Sequence, residues 1–326
     1  MAKALYKEPI QVGSLNLRNR IVMPPMATGK AVEGAPGEEM TEYYRARSKG
    51  TGLVIVEHAY VMLQGMAHPG QLSMAEDSVI PAYRKLTDAI RGEGASVLAQ
   101  LNHAGIKAMD TGLPPAGPSA LPVKDGVSEA MDPGQIRAVA AAFTAAAVRA
   151  KEAGFDGVEL HSAHGYLLNQ FYSPLTNRRE DAYSAETVEN RTRLHGEIIR
   201  AVREAVGDGF VLAVRFGACD YAEGGSRIGD IPEAVSTFVS AGADLIDISG
   251  GMTGFMRPGH SEPGYLKELS LAAKSAVTVP VILTGGVTAA REMEALLLEG
   301  AADLIGIGRA LLKDPAWSEK ALKECL

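Results

Sequence analysis

The sequence predicts an α/β protein whose core is a (β/α)8 TIM barrel with an N-terminal β-hairpin closing the barrel floor. Short apolar, β-branched runs alternate with longer amphipathic segments along the chain. Runs such as LVIV (53–56) are apolar without alternation, as expected for parallel strands that are covered on both faces. A weak repeat of helix end, glycine, aspartate and strand recurs at 152–160, 240–248 and 299–307. Together these features favour a barrel built from repeated strand–helix units.

Eight runs are predicted as strands, because each is short, apolar and rich in β-branched residues. They span 20–26, 52–59, 95–103, 157–164, 210–217, 245–251, 280–286 and 304–310. The alternative, a doubly wound sheet with its usual five or six strands, would leave some of these runs unused. We therefore expect a single barrel domain over residues 1–326.

Helix ends are marked by local signals. In the segment 132–154, Asp132 is a plausible N-cap, Pro133 the first helical residue and Gly154 the stop. Gly154 and its counterparts Gly242 and Gly300 in the repeat are expected in the left-handed conformation that terminates a helix.

Two segments outside the repeat have distinct expected roles. Residues 8–20 (EPIQVGSLNLRNR) are predicted to form the hairpin at the barrel floor. The polar, proline-rich segment 109–129 is predicted as a long loop after the third strand, and loops of that length are commonly functional.

Composition limits the classes of function. A formal net charge of −7 provides no basic surface for nucleic acid. Cys219 and Cys325 lie far apart, which argues against a thiolate-bound cluster within the chain and fits a reducing compartment. The N-terminus lacks the apolar core of a signal peptide, and the alanine-rich run 138–148 is too short to cross a bilayer. We expect a cytoplasmic protein that acts on a small molecule.

The last two strands end in glycine-rich turns that favour a phosphate site. Gly285 and Gly286 follow strand seven, while Gly308 and Arg309 follow strand eight. Glycines let backbone N–H groups approach a phosphate, and an arginine adds a charge-assisted hydrogen bond. The alternative is that these glycines only turn the chain.

The sequence HSAHGY (161–166) places His161, His164 and Tyr166 at the end of strand four. They could form a metal site, donate hydrogen bonds to a substrate, or be polar core residues. A zinc site needs at least three protein ligands. The nearest carboxylate is that of Glu57, and a glutamate buried in a strand more often pairs with a cation. We therefore favour substrate recognition and expect no metal.

These motifs together resemble the Old Yellow Enzyme family of FMN-dependent NAD(P)H:flavin oxidoreductases and ene-reductases. NRIVMPPMA, AQLNHAG, GFDGVELHSAHGYLLNQFYSPLTNRR, VPVILTGGV and DLIGIGRALLKDP follow one another in the family's order across nearly the entire chain. The run HSAHGYLLNQFYSP followed by NRR is the most specific. The resemblance implies FMN across the barrel mouth, with NADH or NADPH as the hydride donor.

The resemblance also implies roles for individual residues. His161 and His164 would bind the substrate carbonyl oxygen, and Tyr166 would supply a proton. Gln100 would bind the pyrimidine edge of the flavin, and Arg215 would lie near its N1. The remaining cofactor contacts would come from Pro25, Met26, Ala27, His58, Gly285, Gly286, Gly308 and Arg309.

This chain departs from the family pattern at several positions. Ala27 stands where many relatives have Cys or Thr, and Ile106 replaces a common Arg. His58 stands where small residues are usual, either as a third polar contact or as a packing difference. The chain ends soon after LLKDPAW, so no cysteine-rich or dinucleotide-binding extension is expected.

These features lead to three enzymatic hypotheses. The first is reduction of activated C=C bonds, with hydride passing from NAD(P)H through FMN. The second is an oxidase, dehydrogenase or demethylase subunit that uses a partner electron carrier. The third, a non-redox phosphate-binding barrel enzyme, lacks a strand-end lysine or a carboxylate pair suited to enolisation. The nicotinamide preference, the substrate and any homo-oligomer stay open.

Overall fold

The computed structural model describes residues 4–124 and 126–325. The ends of the expected domain (1–3 and 326) and residue 125 of the expected loop lie outside the described residues. The strands are β1 (Ile10–Val12), β2 (Leu15–Leu17), β3 (Ile21–Met23), β4 (Leu53–Tyr60), β5 (Leu72–Ser73), β6 (Ser96–Asn102), β7 (Ala116–Gly117), β8 (Pro122–Val123), β9 (Gly126–Val127), β10 (Glu129–Ala130), β11 (Gly157–Ser162), β12 (Val211–Gly217), β13 (Leu245–Ser249), β14 (Val281–Thr284) and β15 (Leu304–Gly306).

The α-helices cover the outside of the sheet. They are α1 (Glu38–Ser48), α2 (Ile80–Gly92), α3 (Pro133–Glu152), α4 (Leu167–Tyr172), α5 (Val188–Val206), α6 (Ile231–Ala241), α7 (Lys267–Lys274), α8 (Ala290–Leu298), α9 (Arg309–Lys313) and α10 (Trp317–Lys323). Helix α3 begins as predicted, because Asp132 and Gln135 form a reciprocal capping box. Gly154, Gly242 and Gly300 all have positive φ, which confirms their expected left-handed conformation.

Eight parallel strands close into a barrel, which confirms the predicted fold. Their order around the barrel is β3, β4, β6, β11, β12, β13, β14 and β15, with β15 returning to β3. Closure is direct, since Ile305 is in register with Ile21 and Val22 with Leu53. Sequential strands are therefore neighbours throughout, and the carboxyl ends of all eight meet at one mouth.

The hairpin β1–β2 closes the opposite end. Val12 and Leu17 are each 1% exposed and belong to an apolar cluster inside the barrel. The strand residues of that cluster are Val22, Leu53, Ile55, Leu98, Val211, Ala213, Leu245, Ile282 and Leu304. Burying an apolar side chain of this size stabilises a fold by about 1.5–3 kcal/mol. The predicted floor is thus an apolar plug beneath the mouth.

The expected long loop, 109–129, contains short strands. β7 pairs in parallel with β10, and β8 pairs with β9 as a small hairpin. The segment lies beside the mouth, because residues before and within the β8–β9 hairpin line a surface cleft that Tyr166 also borders.

Cys219 is buried, Cys325 is exposed, and both are unbridged. None of the helices in the described ranges has both the length and the apolarity needed to cross a membrane.

Candidate active site

A cavity of about 450 Å³ opens at the barrel mouth, within the volume range of small-molecule sites. Its lining residues come from the ends of all eight barrel strands. They include Pro25, Met26, Ala27, His58, Gln100, His161, His164, Tyr166, Arg215, Gly285, Gly286, Gly308 and Arg309. Every residue that the sequence singled out for catalysis or cofactor binding therefore lies on one continuous cavity wall.

One end of the cavity is formed by the glycines after β14 and β15. Gly286 has φ +73°, and a Cβ there would lie 2.4 Å from the Glu262 carbonyl oxygen, so the position requires glycine. No described residue accepts a hydrogen bond from the backbone N–H of Gly286 or of Gly308. Arg309 is exposed beside them. Free N–H groups and a cation at one place can bind an anion such as a phosphate.

The base of the cavity contains a layer of buried polar side chains. Gln100 Nε2 donates a hydrogen bond to Glu159 Oε1 at 2.8 Å. Arg215 Nε lies 3.3 Å from Asp247 Oδ2 without hydrogen-bond geometry. Strand register brings these residues together, because Glu159 pairs with Gln100 and Arg215 with Asp247. A single guanidinium thus lies among two carboxylates that are both fully buried.

Burial shifts the ionisation of both carboxyl groups. The pKa of Glu159 is raised well above its ordinary value, by burial first and by the charge of Asp247 second. The pKa of Asp247 is raised to about 6 by burial, although the Arg215 charge opposes the rise. The sequence analysis missed this pair. The signal in the sequence was an acidic residue at an inward position of an otherwise apolar strand: Glu159 in VEL and Asp247 in LIDI.

Three side chains of HSAHGY surround the other end of the cavity. The His161 ring centroid lies 5.0 Å from that of His164 and 5.0 Å from that of Tyr166. His164 has φ +59°, an uncommon backbone conformation for a residue with a side chain. The loop is held there by Asn169, whose Oδ1 accepts from Gly165 N at 2.8 Å. This bond ties the loop to helix α4, which contains Asn169.

Ser249 positions one of the two histidines. Its Oγ lies 2.7 Å from His164 Nε2, which leaves the other edge of the imidazole ring for the cavity. Lys107 Nζ also donates to the His164 carbonyl oxygen at 2.7 Å. Neither residue was identified from the sequence. The signal for Ser249 was its inward position two residues after Asp247 on the same strand.

The histidines are neutral near physiological pH. Burial lowers the pKa of His161 well below its usual range, and the neighbouring His164 lowers it further. The pKa of His164 is also lowered, by burial and then by the Arg215 charge. Burial raises the pKa of Tyr166, so its hydroxyl keeps its proton. This end of the cavity offers neutral imidazoles and a phenol, a set that suits a carbonyl oxygen.

Glu57 and His58 lie on opposite sides of the barrel wall. The Glu57 carboxylate accepts from Thr28 N at 2.7 Å and from the Tyr44 hydroxyl at 3.2 Å. The expectation that Glu57 pairs with a cation is therefore wrong, because a backbone N–H and a phenol satisfy it. His58 faces the cavity instead.

The metal interpretation finds no geometric support. Within residues 4–124 and 126–325, no three His, Cys, Asp or Glu side chains are grouped so that they could hold a metal ion.

Comparison with known proteins places the chain in a family. The model of the NADH:flavin oxidoreductase / NADH oxidase family matches residues 5–325. The chain is 37% identical over 323 residues to the NADH oxidase of Thermoanaerobacter brockii, covering 95% of this chain and 50% of that protein. It is 38% identical over 317 residues to the NADPH dehydrogenase of Halalkalibacterium halodurans, covering 96% and 92%.

A solved structure gives the same result. The Old Yellow Enzyme homologue from Zymomonas mobilis superposes with a TM-score of 0.84 at 28% identity, covering 98% of this chain and 93% of that one. The chain spans about half the length of the NADH oxidase, but nearly all of the NADPH dehydrogenase. The chain therefore belongs to the NADH:flavin oxidoreductase / NADH oxidase family, and the expected FMN and nicotinamide cofactors are confirmed at the level of that family.

Proposed function

We propose that this protein reduces activated C=C bonds of α,β-unsaturated carbonyl compounds, with NADH or NADPH as the donor and FMN as the carrier of the hydride. The observation that carries the proposal is that His161, His164 and Tyr166 all line the cavity, with the His161 ring centroid 5.0 Å from each of the other two. Donors for an oxygen and a separate proton source are the groups that such a reduction requires.

The cavity wall suits FMN along its length. The N–H groups of Gly286 and Gly308, together with Arg309, would hold the phosphate. Because Gln100 Nε2 donates a hydrogen bond to Glu159, Gln100 Oε1 would accept one from the N3–H edge of a flavin. Arg215 makes no hydrogen bond to any described residue, and its cation would favour negative charge on the pyrimidine ring. The backbone at 25–27 would border the ring system.

The roles of the catalytic side chains follow from their protonation. When bound, FMN supplies the hydride that is added to the substrate β-carbon. Two neutral imidazoles, those of His161 and His164, would bind the carbonyl oxygen, on which negative charge increases during the addition. Tyr166 retains its proton because burial raises its pKa, and it would deliver this proton to the α-carbon.

The test replaces Tyr166 by phenylalanine. Flavin reduction by NAD(P)H should stay within about twofold of wild type, while reoxidation by 2-cyclohexenone should slow by roughly 10²–10⁴-fold. Stopped-flow absorbance of the flavin separates the two half-reactions. Tyr43→Phe is the matched control, since the Tyr43 hydroxyl makes no hydrogen bond to the described part of the chain and does not line the cavity. Equal slowing of both half-reactions by Tyr166→Phe would remove Tyr166 from proton transfer.

A second candidate is favoured by one relative. The NADH oxidase of T. brockii is 37% identical to this chain, so dioxygen or another electron carrier is an alternative acceptor. Two rates of reoxidation of the reduced flavin decide between them. One is measured with air, and the other with cyclohexenone in the absence of oxygen. An enone rate far below the air rate would favour the oxidase.

A further inference from the structure

His58 has a fixed tautomer. Gln71 Oε1 accepts from the backbone N–H of Ala67 at 2.6 Å, which fixes the orientation of the Gln71 amide. Gln71 Nε2 then donates to His58 Nδ1 at 2.7 Å, and Asn102 Nδ2 lies 3.3 Å from the same atom. Because Nδ1 accepts a hydrogen bond, the proton of the neutral ring is on Nε2.

The Nε2–H of His58 is directed away from these amides. The ring lines the cavity, and no described residue accepts a hydrogen bond from Nε2. Burial lowers the pKa of His58 to about 3, so the ring is neutral at physiological pH. The cavity therefore receives an N–H donor whose orientation is set by two buried amides.

This donor lies beside the residues that are proposed to bind substrate. The His58 ring centroid is 5.5 Å from that of Tyr166 and 6.1 Å from that of His161. The two rings of His161 and His164 are closer to each other, at 5.0 Å. The His58 ring is thus farther from His161 than the His164 ring is, and its N–H can bind an acceptor atom other than the oxygen that the pair would share.

We propose that His58 is a specificity-determining residue that donates a hydrogen bond to a second oxygen of the substrate, and that the preferred substrates are alkenes activated by two carbonyl-type acceptors, such as ene-diones. This inference rests on the proposed function. A substrate with one oxygen would cover the His58 N–H without giving it an acceptor. A site that is built to hydrogen-bond a group discriminates against the analogue that lacks it, because a donor is then buried unpaired.

The test compares two ring substrates that differ by one carbonyl, 2-cyclohexene-1,4-dione and 2-cyclohexenone. Their intrinsic reactivities differ, so the measured quantity is the ratio of their kcat/KM values in each variant relative to the ratio in wild type. His58→Ala should lower this ratio by about 10–100-fold. His58→Gln keeps an N–H donor and should give a ratio between those of wild type and the alanine variant.

His68→Ala is the matched control. Its ring is half-buried and 5.7 Å from that of His58, but it does not line the cavity. The control should leave the ratio unchanged. An unchanged ratio in His58→Ala, or an equal change in His68→Ala, would overturn the proposal. A shifted flavin midpoint potential in His58→Ala with an unchanged ratio would also overturn it, since His58 would then bind the cofactor.

A binding measurement separates this inference from the proposed function. Calorimetry on the FMN-loaded protein compares 4-methoxyphenol with 4-ethylphenol, which have similar shapes and differ in the second acceptor oxygen. Wild type should prefer 4-methoxyphenol, and His58→Ala should lose that preference. If wild type reduces neither ring substrate, the proposed function fails, while this comparison still tests His58. Equal affinities for both phenols in wild type would count against the role of His58.

Discussion

Replacing Arg215 by methionine tests the buried charge layer beneath the cavity. The substitution removes the cation and leaves Glu159 and Asp247 buried without a counter-charge. Breaking a buried ion pair by removing one partner costs about 3–5 kcal/mol of stability. We expect a loss of that size at pH 8, where the carboxylates would have to remain ionised.

The destabilisation caused by Arg215→Met should be smaller at low pH than at high pH. In the native protein the pKa of Asp247 is raised from 3.8 to about 6, so the folded state binds more protons than the unfolded state between these values. Its stabilising contribution is therefore present below pH ~4 and is lost as pH rises through ~6, a change of roughly 3 kcal/mol. Without Arg215 the pKa of both acids rises further. The destabilisation should thus shrink to about 1–2 kcal/mol at pH 5.

Urea denaturation of the FMN-free protein at pH 5 and pH 8, followed by circular dichroism, measures both values. Arg309→Met makes the same chemical change at an exposed position and should cost less than about 0.5 kcal/mol at either pH. In the double variant Arg215→Met/Asp247→Asn, one of the two buried charges is absent, so much of the loss at pH 8 should be recovered. A loss that is equal at both pH values and is not recovered by Asp247→Asn would refute the reasoning.

Three further predictions concern the cofactor, the barrel wall and acid stability. Arg309→Met should weaken FMN binding by about 10–100-fold in a fluorescence titration, because one charge-assisted bond to the phosphate is lost; an unchanged Kd would place the phosphate elsewhere. Gly157→Ala should destabilise the fold by at least about 2 kcal/mol, because its Cβ would lie 2.3 Å from the Val211 carbonyl oxygen, whereas Gly209→Ala meets nothing within 4 Å and should be nearly neutral in thermal unfolding. Burial lowers the pKa of His195 to about 3, so the neutral ring stabilises the fold above pH ~6.5 and this contribution is lost as pH falls. His195→Gln should therefore flatten the decline of the unfolding free energy between pH 6 and 4. An unchanged slope would contradict this.

Local sequence patterns determined the elements and the cavity-lining residues. Continuous apolar runs identified eight strands, and an Asp–Pro start with a glycine stop identified α3, because capping and burial pattern act within a few residues of the chain. The parallel strands of a barrel end at one mouth. The positions of Gly286, Arg309 and His161 after strand ends therefore predicted that they line one cavity, as they do.

The direction of side chains on β4 was decided only by the tertiary structure. Leu53 and Ile55 face the barrel interior, so strict alternation would put Glu57 inside as well and His58 outside. The pairing of β4 with β6 shifts register between Val56 and Ala59, which reverses the alternation. Glu57 therefore meets Tyr44 of α1 and His58 faces the cavity. An irregularity of this kind depends on the neighbouring strand and has no signal in the sequence of β4 itself.

The same reason explains the buried charges. Asp247 and Arg215 are 32 positions apart, and Glu159 is more distant still. They meet because β12 lies between β11 and β13, with Arg215 in register with Asp247 and two residues beyond Ala213, the register partner of Glu159. The sequence by itself determined that each of these residues lies in an apolar strand. Strand register decides which of the acids lie near the Arg215 cation. The low polarity of the closed barrel decides how far burial raises the pKa of Asp247. Both exist only once the chain has folded.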